Sequence, residues 1–173
     1  MRRKISVALM IVICFFLQTT LFKSLSFSSI SPNLLIIVTA SFGFMRGQKE
    51  GMFIGFFSGL LVDAFFANVF GFYALLYMYV GWVNGFFKKH FFPDDIALPM
   101  LLISGSDFFY NITIYFFRFL FRSRFSFGFY LLHIIIPELV YTLLISILLY
   151  FVILKINQKL EEIEKRSAGK FGS

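Results

Sequence analysis

One stripe of small residues constrains the fold of this chain more than any other feature. Gly51, Gly55, Gly59 and Asp63 recur every four residues in the run GMFIGFFSGLLVDAFF, whose other positions are mostly Phe, Leu, Ile and Val. Residues four apart in an α-helix fall on one slowly drifting face. A glycine face on an apolar helix lets the backbone of a neighbouring helix come very close. The sequence therefore predicts a tightly packed helix pair at this position.

Asp63 ends the glycine stripe with a carboxylate in an otherwise apolar segment. A carboxylate costs roughly 2.5–3.5 kcal/mol at the centre of a membrane helix and less near its end. Such a group needs a partner that holds it. We expect the helix that packs on the glycines to provide that partner.

The composition identifies the class of protein. Hydrophobic residues make up 59% of the 173 positions and charged residues only 14%, which is more apolar surface than a soluble domain of this size could bury. We therefore predict an integral membrane protein. The single Cys14 allows no intrachain disulfide, and no metal-ligand spacing is present. The net charge of +7 comes from basic residues at the ends of apolar runs, which is typical of membrane orientation and not of nucleic-acid binding.

Six apolar segments predict an all-α domain of six transmembrane helices that includes the whole chain, residues 1–173. The segments are residues 5–22, 33–45, 51–66, 72–87, 96–117 and 128–154. The second segment is shorter than the roughly 20 residues of a perpendicular span. Residues 155–173 form a charged tail, into which we expect the last helix to continue for about two turns.

The distribution of Lys and Arg predicts the orientation. Basic residues cluster at the N-terminus, after the second and fourth spans, and in the tail, which favours a cytoplasmic location for both termini. The loop containing Arg118, Arg122 and Arg124 departs from this rule because it would face outward. We expect this outward basic loop to meet anionic lipid headgroups or an acidic surface of another protein.

Three acidic residues, Asp63, Asp107 and Glu138, lie within the predicted spans, and Asn111 follows Asp107 by four positions. An acid in a membrane span is a functional-site hypothesis by default. These acids could relay an ion or proton, bind a polar substrate between helices, or pair with other polar groups and fix the bundle. The structural interpretation is favoured over transport. Pro137 predicts a kink beside Glu138.

An enzymatic function finds little support in the sequence. The chain has no serine elbow motif, no metal-ligand pair, no nucleotide-binding loop and no Cys/His pair. We therefore predict no catalytic residue, no bound metal and no cofactor.

Several of these features together resemble the MreD family, the rod shape-determining membrane proteins of bacteria. The resemblance depends on a basic N-terminus before one span, a charged turn containing Gly47, the glycine-to-aspartate stripe, Gly71 after the next turn, and the run Pro32, Asn33, Leu34 and Leu35. It implies a multi-pass protein of the bacterial cytoplasmic membrane and a bundle like the six-helix substrate-binding subunits of energy-coupling-factor transporters.

The resemblance also implies a non-enzymatic role in regulation of cell shape and peptidoglycan synthesis. The implied partners are MreC, the actin-like MreB, the glycosyltransferase RodA and a penicillin-binding transpeptidase. The glycine face and the outward basic loop would be candidate contacts for MreC.

Two other classes of function remain open at this stage. A vitamin-binding subunit of an energy-coupling-factor transporter would share the size and helix count, and it would retain a small molecule in an outer cavity. A small ion or proton transporter would use Asp63 and Glu138.

Overall fold

The computed structural model of the protein describes residues 2–21, 30–66, 69–122 and 127–170, and within these ranges the chain is helical without a β-strand. The expected all-α fold of six helices is confirmed. The helices are α1 Arg2–Phe16, which continues through a π-helical turn at Leu17–Leu21; α2 Leu34–Arg46; α3 Gln48–Phe66; α4 Phe72–Phe86, followed by a 3-10 turn at Phe87–His90; α5 Ala97–Arg122; and α6, which comprises Phe127–Tyr130, a π-helical turn at Leu131–Ile135, and Ile136–Lys170.

Three helical segments in the described part of the chain are long and apolar enough to cross a membrane. They are Arg3–Thr20, Ala97–Phe117 and Phe127–Ser167. Helix α2 is apolar but shorter, and α3 and α4 contain 19 and 15 residues. Helices α2, α3 and α4 pack on one another.

Helix α2 forms the centre of the bundle. Its residues from Leu34 to Met45 are all buried, and it contacts α1, α3, α4, α5 and α6. A helix that is apolar all round is typically buried on all sides, which agrees with the burial of this short second segment. The helix begins at Asn33, whose side chain accepts a hydrogen bond from the backbone N–H of Ile36 at 3.4 Å.

The closest packing in the bundle joins α3 to α4 through glycine. Gly51 faces Gly81, Gly55 faces Tyr77, and Gly59 faces Ala74. A Cβ atom added at any of the three α3 glycines would come closer than 3.0 Å to backbone atoms of α4. The two backbones are therefore in direct contact, as the spacing of the glycines predicts.

The sequence interpretation missed three further glycines at the same junction. Gly81 and Gly85 bring α4 against Gly51 and the backbone of Gln48, and Gly43 brings α2 against α4. Gly81 and Gly85 are four residues apart, so the signal that identifies the α3 stripe is also present in α4.

Helix α6 contains a π-helical turn before Pro137 and is longer than expected. Pro137 lacks a backbone N–H, and its ring obstructs the carbonyl four residues earlier. The chain accommodates this with the π-helical turn Leu131–Ile135, in which the N–H of Ile136 donates to the carbonyl of Leu131. The helix then continues to Lys170, about four turns beyond the apolar segment, where two turns were expected. Within this continuation, Glu161 and Glu164 pair with arginines of other helices.

Replacing Gly55 with alanine should destabilise the protein, because the added Cβ would collide with the backbone of Tyr77. Overpacking of this kind typically costs about 1–3 kcal/mol. Gly105→Ala is the matched control, since a Cβ there meets nothing within 4 Å. Thermal unfolding of both variants in the same detergent measures the difference. Equal melting temperatures would contradict the backbone contact.

Candidate functional site

Asp63 is held by the first turn of α4. Its carboxylate oxygens accept hydrogen bonds from the backbone N–H groups of Tyr73 at 3.0 Å and Ala74 at 2.9 Å, and the side chain is only 3% exposed. The first N–H groups of a helix have no partner within the helix, and the helix dipole there favours negative charge. Both carboxylate oxygens are therefore used in fixing α4 to α3.

Gly71 positions the start of α4 for this contact. It precedes the helix with φ +98°, a left-handed conformation that glycine adopts without strain. The structure thus brings together the glycine stripe, Asp63 and Gly71 in one hairpin. The glycine face is covered by α4 of the same chain, so an external helix would reach it only if this hairpin opened.

A second polar group joins α2, α4 and α6 around Asn33. Its side-chain oxygen accepts from the hydroxyl of Tyr77 at 2.8 Å, and its backbone N–H donates to the Thr142 hydroxyl at 3.2 Å. The ring of Tyr110 on α5 lies 5.3 Å from that of Tyr77 in an edge-to-face arrangement. The sequence interpretation did not identify Tyr77, Tyr110 or Thr142, because single Tyr and Thr residues in apolar segments carry no pattern.

Asp107 and Glu138, two of the three predicted acids, lie close together between α5 and α6. Asp107 is fully buried, and it lies beside Thr142 and within electrostatic range of Glu138. Among the described residues, neither carboxyl oxygen of Asp107 has a partner with hydrogen-bonding geometry. Leaving a buried polar group unpaired costs about 1–3 kcal/mol. Asn111 does not pair with the carboxyl group of Asp107, because its side-chain amide donates to the backbone carbonyl of Asp107 at 3.1 Å.

The chemistry available at these acids is limited. Within the described residues, no three His, Cys, Asp or Glu side chains converge on a point that could hold a metal ion.

The outward basic loop stays a prediction: the side chains of Arg118 and Arg122, and the whole of Arg124, lie outside the described residues.

An ionic cluster closes the end of the bundle where α1 begins. Arg3 pairs with Glu50 of α3 and Glu164 of α6, and Arg46 of α2 lies 3.9 Å from Glu161 and 3.4 Å from Glu164. Partial burial raises the pKa of Glu164, but hydrogen bonds and charge from Arg3 and Arg46 outweigh burial and hold that pKa below its ordinary value of 4.5. The cluster joins the N-terminus, the turn between α2 and α3, and the tail.

These features define a helical membrane protein whose interior polar groups mainly join helices to one another. Comparison with family models then identifies the family. The model of the rod shape-determining protein MreD matches residues 1–160, so the chain belongs to the MreD family, whose role is in determining rod shape. The resemblance seen in the sequence is confirmed. No curated protein matches the chain, and no solved structure matches it. The likeness to energy-coupling-factor subunits stays a prediction.

Replacing Asp63 with alanine should destabilise the hairpin, because two N–H groups of α4 lose a charged acceptor. We expect a loss of about 1–3 kcal/mol, with Asp63→Asn intermediate because an amide keeps one acceptor oxygen. Asp94→Ala is the control, since Asp94 is exposed in a turn. Unfolding of the variants in the same detergent provides the measurement. If Asp63→Ala and Asp94→Ala had the same unfolding midpoint, the capping role of Asp63 would be wrong.

The contact of the tail with the bundle should weaken at low pH. Because the pKa of Glu164 is lower in the folded protein, its contribution is fully present above the unfolded value and is lost as the pH falls through the folded value. Spin labels can be attached to cysteines introduced at Leu9 and Ser167, with the native Cys14 replaced by serine. The distribution of distances between the two labels should broaden below about pH 4.5.

Two variants test whether Glu164 causes this response. Glu164→Gln should give the broad distance distribution already at neutral pH. Glu162→Gln removes an exposed acid of the same segment, which makes no ion pair among the described residues, and should retain the pH response. A pH response that persists in Glu164→Gln would assign the effect to another group.

Proposed function

We propose that this protein is a non-enzymatic membrane scaffold of the bacterial cell-elongation machinery, which binds an MreC-like membrane protein and helps organise peptidoglycan synthesis. The observation that carries the proposal is the match to the MreD family over residues 1–160. MreB, RodA and a penicillin-binding transpeptidase would be further partners, in direct or indirect contact.

The use of polar groups in the bundle supports a scaffold. Both carboxylate oxygens of Asp63 are bound to backbone N–H groups of α4, and Asn33 joins α2 to α4 and α6. A proton or ion carrier needs a carboxylate that is free to bind and release its cargo, and Asp63 is not free in this arrangement. Groups used in this way hold helices in fixed positions, which is what a partner surface requires.

The location proposed is the bacterial cytoplasmic membrane, with six spans and both termini in the cytoplasm. The ionic cluster supports this orientation, because Arg3, Arg46 and the tail lie at one end of the bundle. An even number of crossings places both termini on the same side. The tail is then available to cytoplasmic partners such as MreB.

The opposite end of the bundle would carry the contact with the outer part of MreC. Arg118, Arg122 and Arg124 lie within seven consecutive positions and would face an acidic surface of MreC or anionic headgroups. Charged groups of this kind chiefly direct association and are sensitive to salt.

Co-purification from native membranes in mild detergent tests the proposal. Mass spectrometry should find an MreC-like protein and wall-synthesis enzymes with the tagged chain, and no stoichiometric small ligand. Replacing all three arginines of the outward loop with glutamine should reduce recovery of the MreC-like protein at low salt. The difference from the unchanged protein should become smaller at higher salt, because salt already screens the arginine charges there. The control removes the same charge from the tail: Lys155→Gln, Lys159→Gln and Lys165→Gln.

Two results would contradict the proposal in different ways. Unchanged recovery with the arginine variant would refute the loop as the contact while leaving the scaffold in place. A retained vitamin with an ATPase module, and no wall-synthesis partner, would refute the scaffold itself.

The alternative function is a substrate-binding subunit of a vitamin transporter. One observation favours it: the carboxyl group of Asp107 is buried beside Thr142, and among the described residues no donor reaches it with full hydrogen-bonding geometry. A polar ligand could satisfy it. Asp107→Asn would then reduce the retained vitamin, whereas a scaffold would keep its protein partners in that variant.

A further inference from the structure

An apolar groove of about 890 Å³ separates α1 from α3 along part of their length. One wall consists of Val7, Ile11 and Val12, and the other of Ile54, Phe57 and Leu61. Phe57 is 57% exposed and Val12 41%. The groove belongs to neither the glycine interface nor the acid pair, and the proposed scaffold function does not account for it.

Both ends of the groove are closed by contacts between the two helices. At one end, Arg3 pairs with Glu50. At the other, the ring of Phe15 lies 5.2 Å from that of Phe65 and 6.2 Å from that of Phe66. Helices α1 and α3 thus touch at two places and part between them. The groove is therefore bounded at both ends along the helices and is open only at the side of the bundle.

The closed end beside Arg3 carries three cations and the carboxylate of Glu50, so it is basic on balance. Lys4 and Lys49 line the groove there, both are exposed, and neither forms an ion pair among the described residues. Arg3 adds a third cation, although its guanidinium is already paired with two glutamates. An apolar slot that ends at two free ammonium groups has the charge pattern of an anionic amphiphile.

The length of the groove favours a lipid over a transmembrane helix of a partner as its occupant. Lys49 and Leu61 are twelve positions apart on α3, a rise of about 18 Å. Half of the hydrocarbon core of a bilayer is about 15 Å, so the slot has the depth of one leaflet. A transmembrane helix of a partner must cross about 30 Å, and the contacts of Phe15 would obstruct it. We propose that this groove binds one anionic phospholipid, with its phosphate at Lys4 and Lys49 and an acyl chain between α1 and α3.

Native mass spectrometry of the purified full chain tests the proposal. The protein in detergent is titrated with a phosphatidylglycerol and, separately, with a phosphatidylcholine of the same acyl chains. The first phosphatidylglycerol should bind more tightly than the first phosphatidylcholine. Lys4→Gln combined with Lys49→Gln should weaken that first site about 30-fold. Lys155→Gln with Lys159→Gln removes the same charge outside the groove and should leave it unchanged. Equal affinity for the two lipids, or equal losses in both double variants, would overturn the proposal.

A second pair of variants tests the acyl-chain part of the slot. Ala8 lines the groove, so Ala8→Trp should fill it and reduce binding of the first phosphatidylglycerol. Leu9→Trp is the control, because Leu9 is 61% exposed and lies outside the lining. A photoreactive residue at Val12 in native membranes should capture phospholipid. Capture of a partner's transmembrane helix there, or unchanged binding in Ala8→Trp with normal unfolding, would contradict a lipid in this groove.

Discussion

Backbone contact between α3 and α4 is the interaction on which the rest of the bundle depends. Lipid chains are as apolar as leucine side chains, so burial alone does not drive helices together in a membrane, and close packing has to do so. The glycines remove the side chains that would keep the two backbones apart. Asp63 then fixes how far α4 extends along α3, because its carboxylate meets only the first N–H groups of that helix. Helix α2 packs on the resulting surface through Gly43.

The interior has two kinds of polar group with different consequences. Asp63 and Asn33 have partners and join helices, so they contribute to a single arrangement of the bundle. Asp107 is buried without such a partner among the described residues, so it works against stability. The first kind of group holds the helices in fixed positions, as the proposed scaffold function would require. Asp107 lies between α5 and α6, and it is within electrostatic range of Tyr77 in the hairpin.

The sequence predicted best what depends on neighbouring residues. Six helices follow from apolar runs, and the glycine stripe follows from a spacing of four, because both are local patterns. Residues from distant segments were missed for the opposite reason. Nothing in the spacing of Asn33, Tyr77 and Thr142 shows that three helices bring them together, and the pairing of Arg3 with Glu164 depends on the whole fold. The helix was expected to continue for only about two turns into the tail, because the arginines that pair with the tail's glutamates lie in distant segments of the sequence.

The pairing of Arg3 with Glu164 sets an order of events during synthesis. The two residues are 161 positions apart, whereas the hairpin of α3 and α4 occupies a contiguous stretch of chain. Because a chain emerges from its N-terminus, the hairpin can assemble while α5 and α6 are still being made. Arg3 can pair with Glu50 at that point, but its pair with Glu164 forms only after α6 has been made. Completion of the ionic cluster is therefore a later event than assembly of the hairpin.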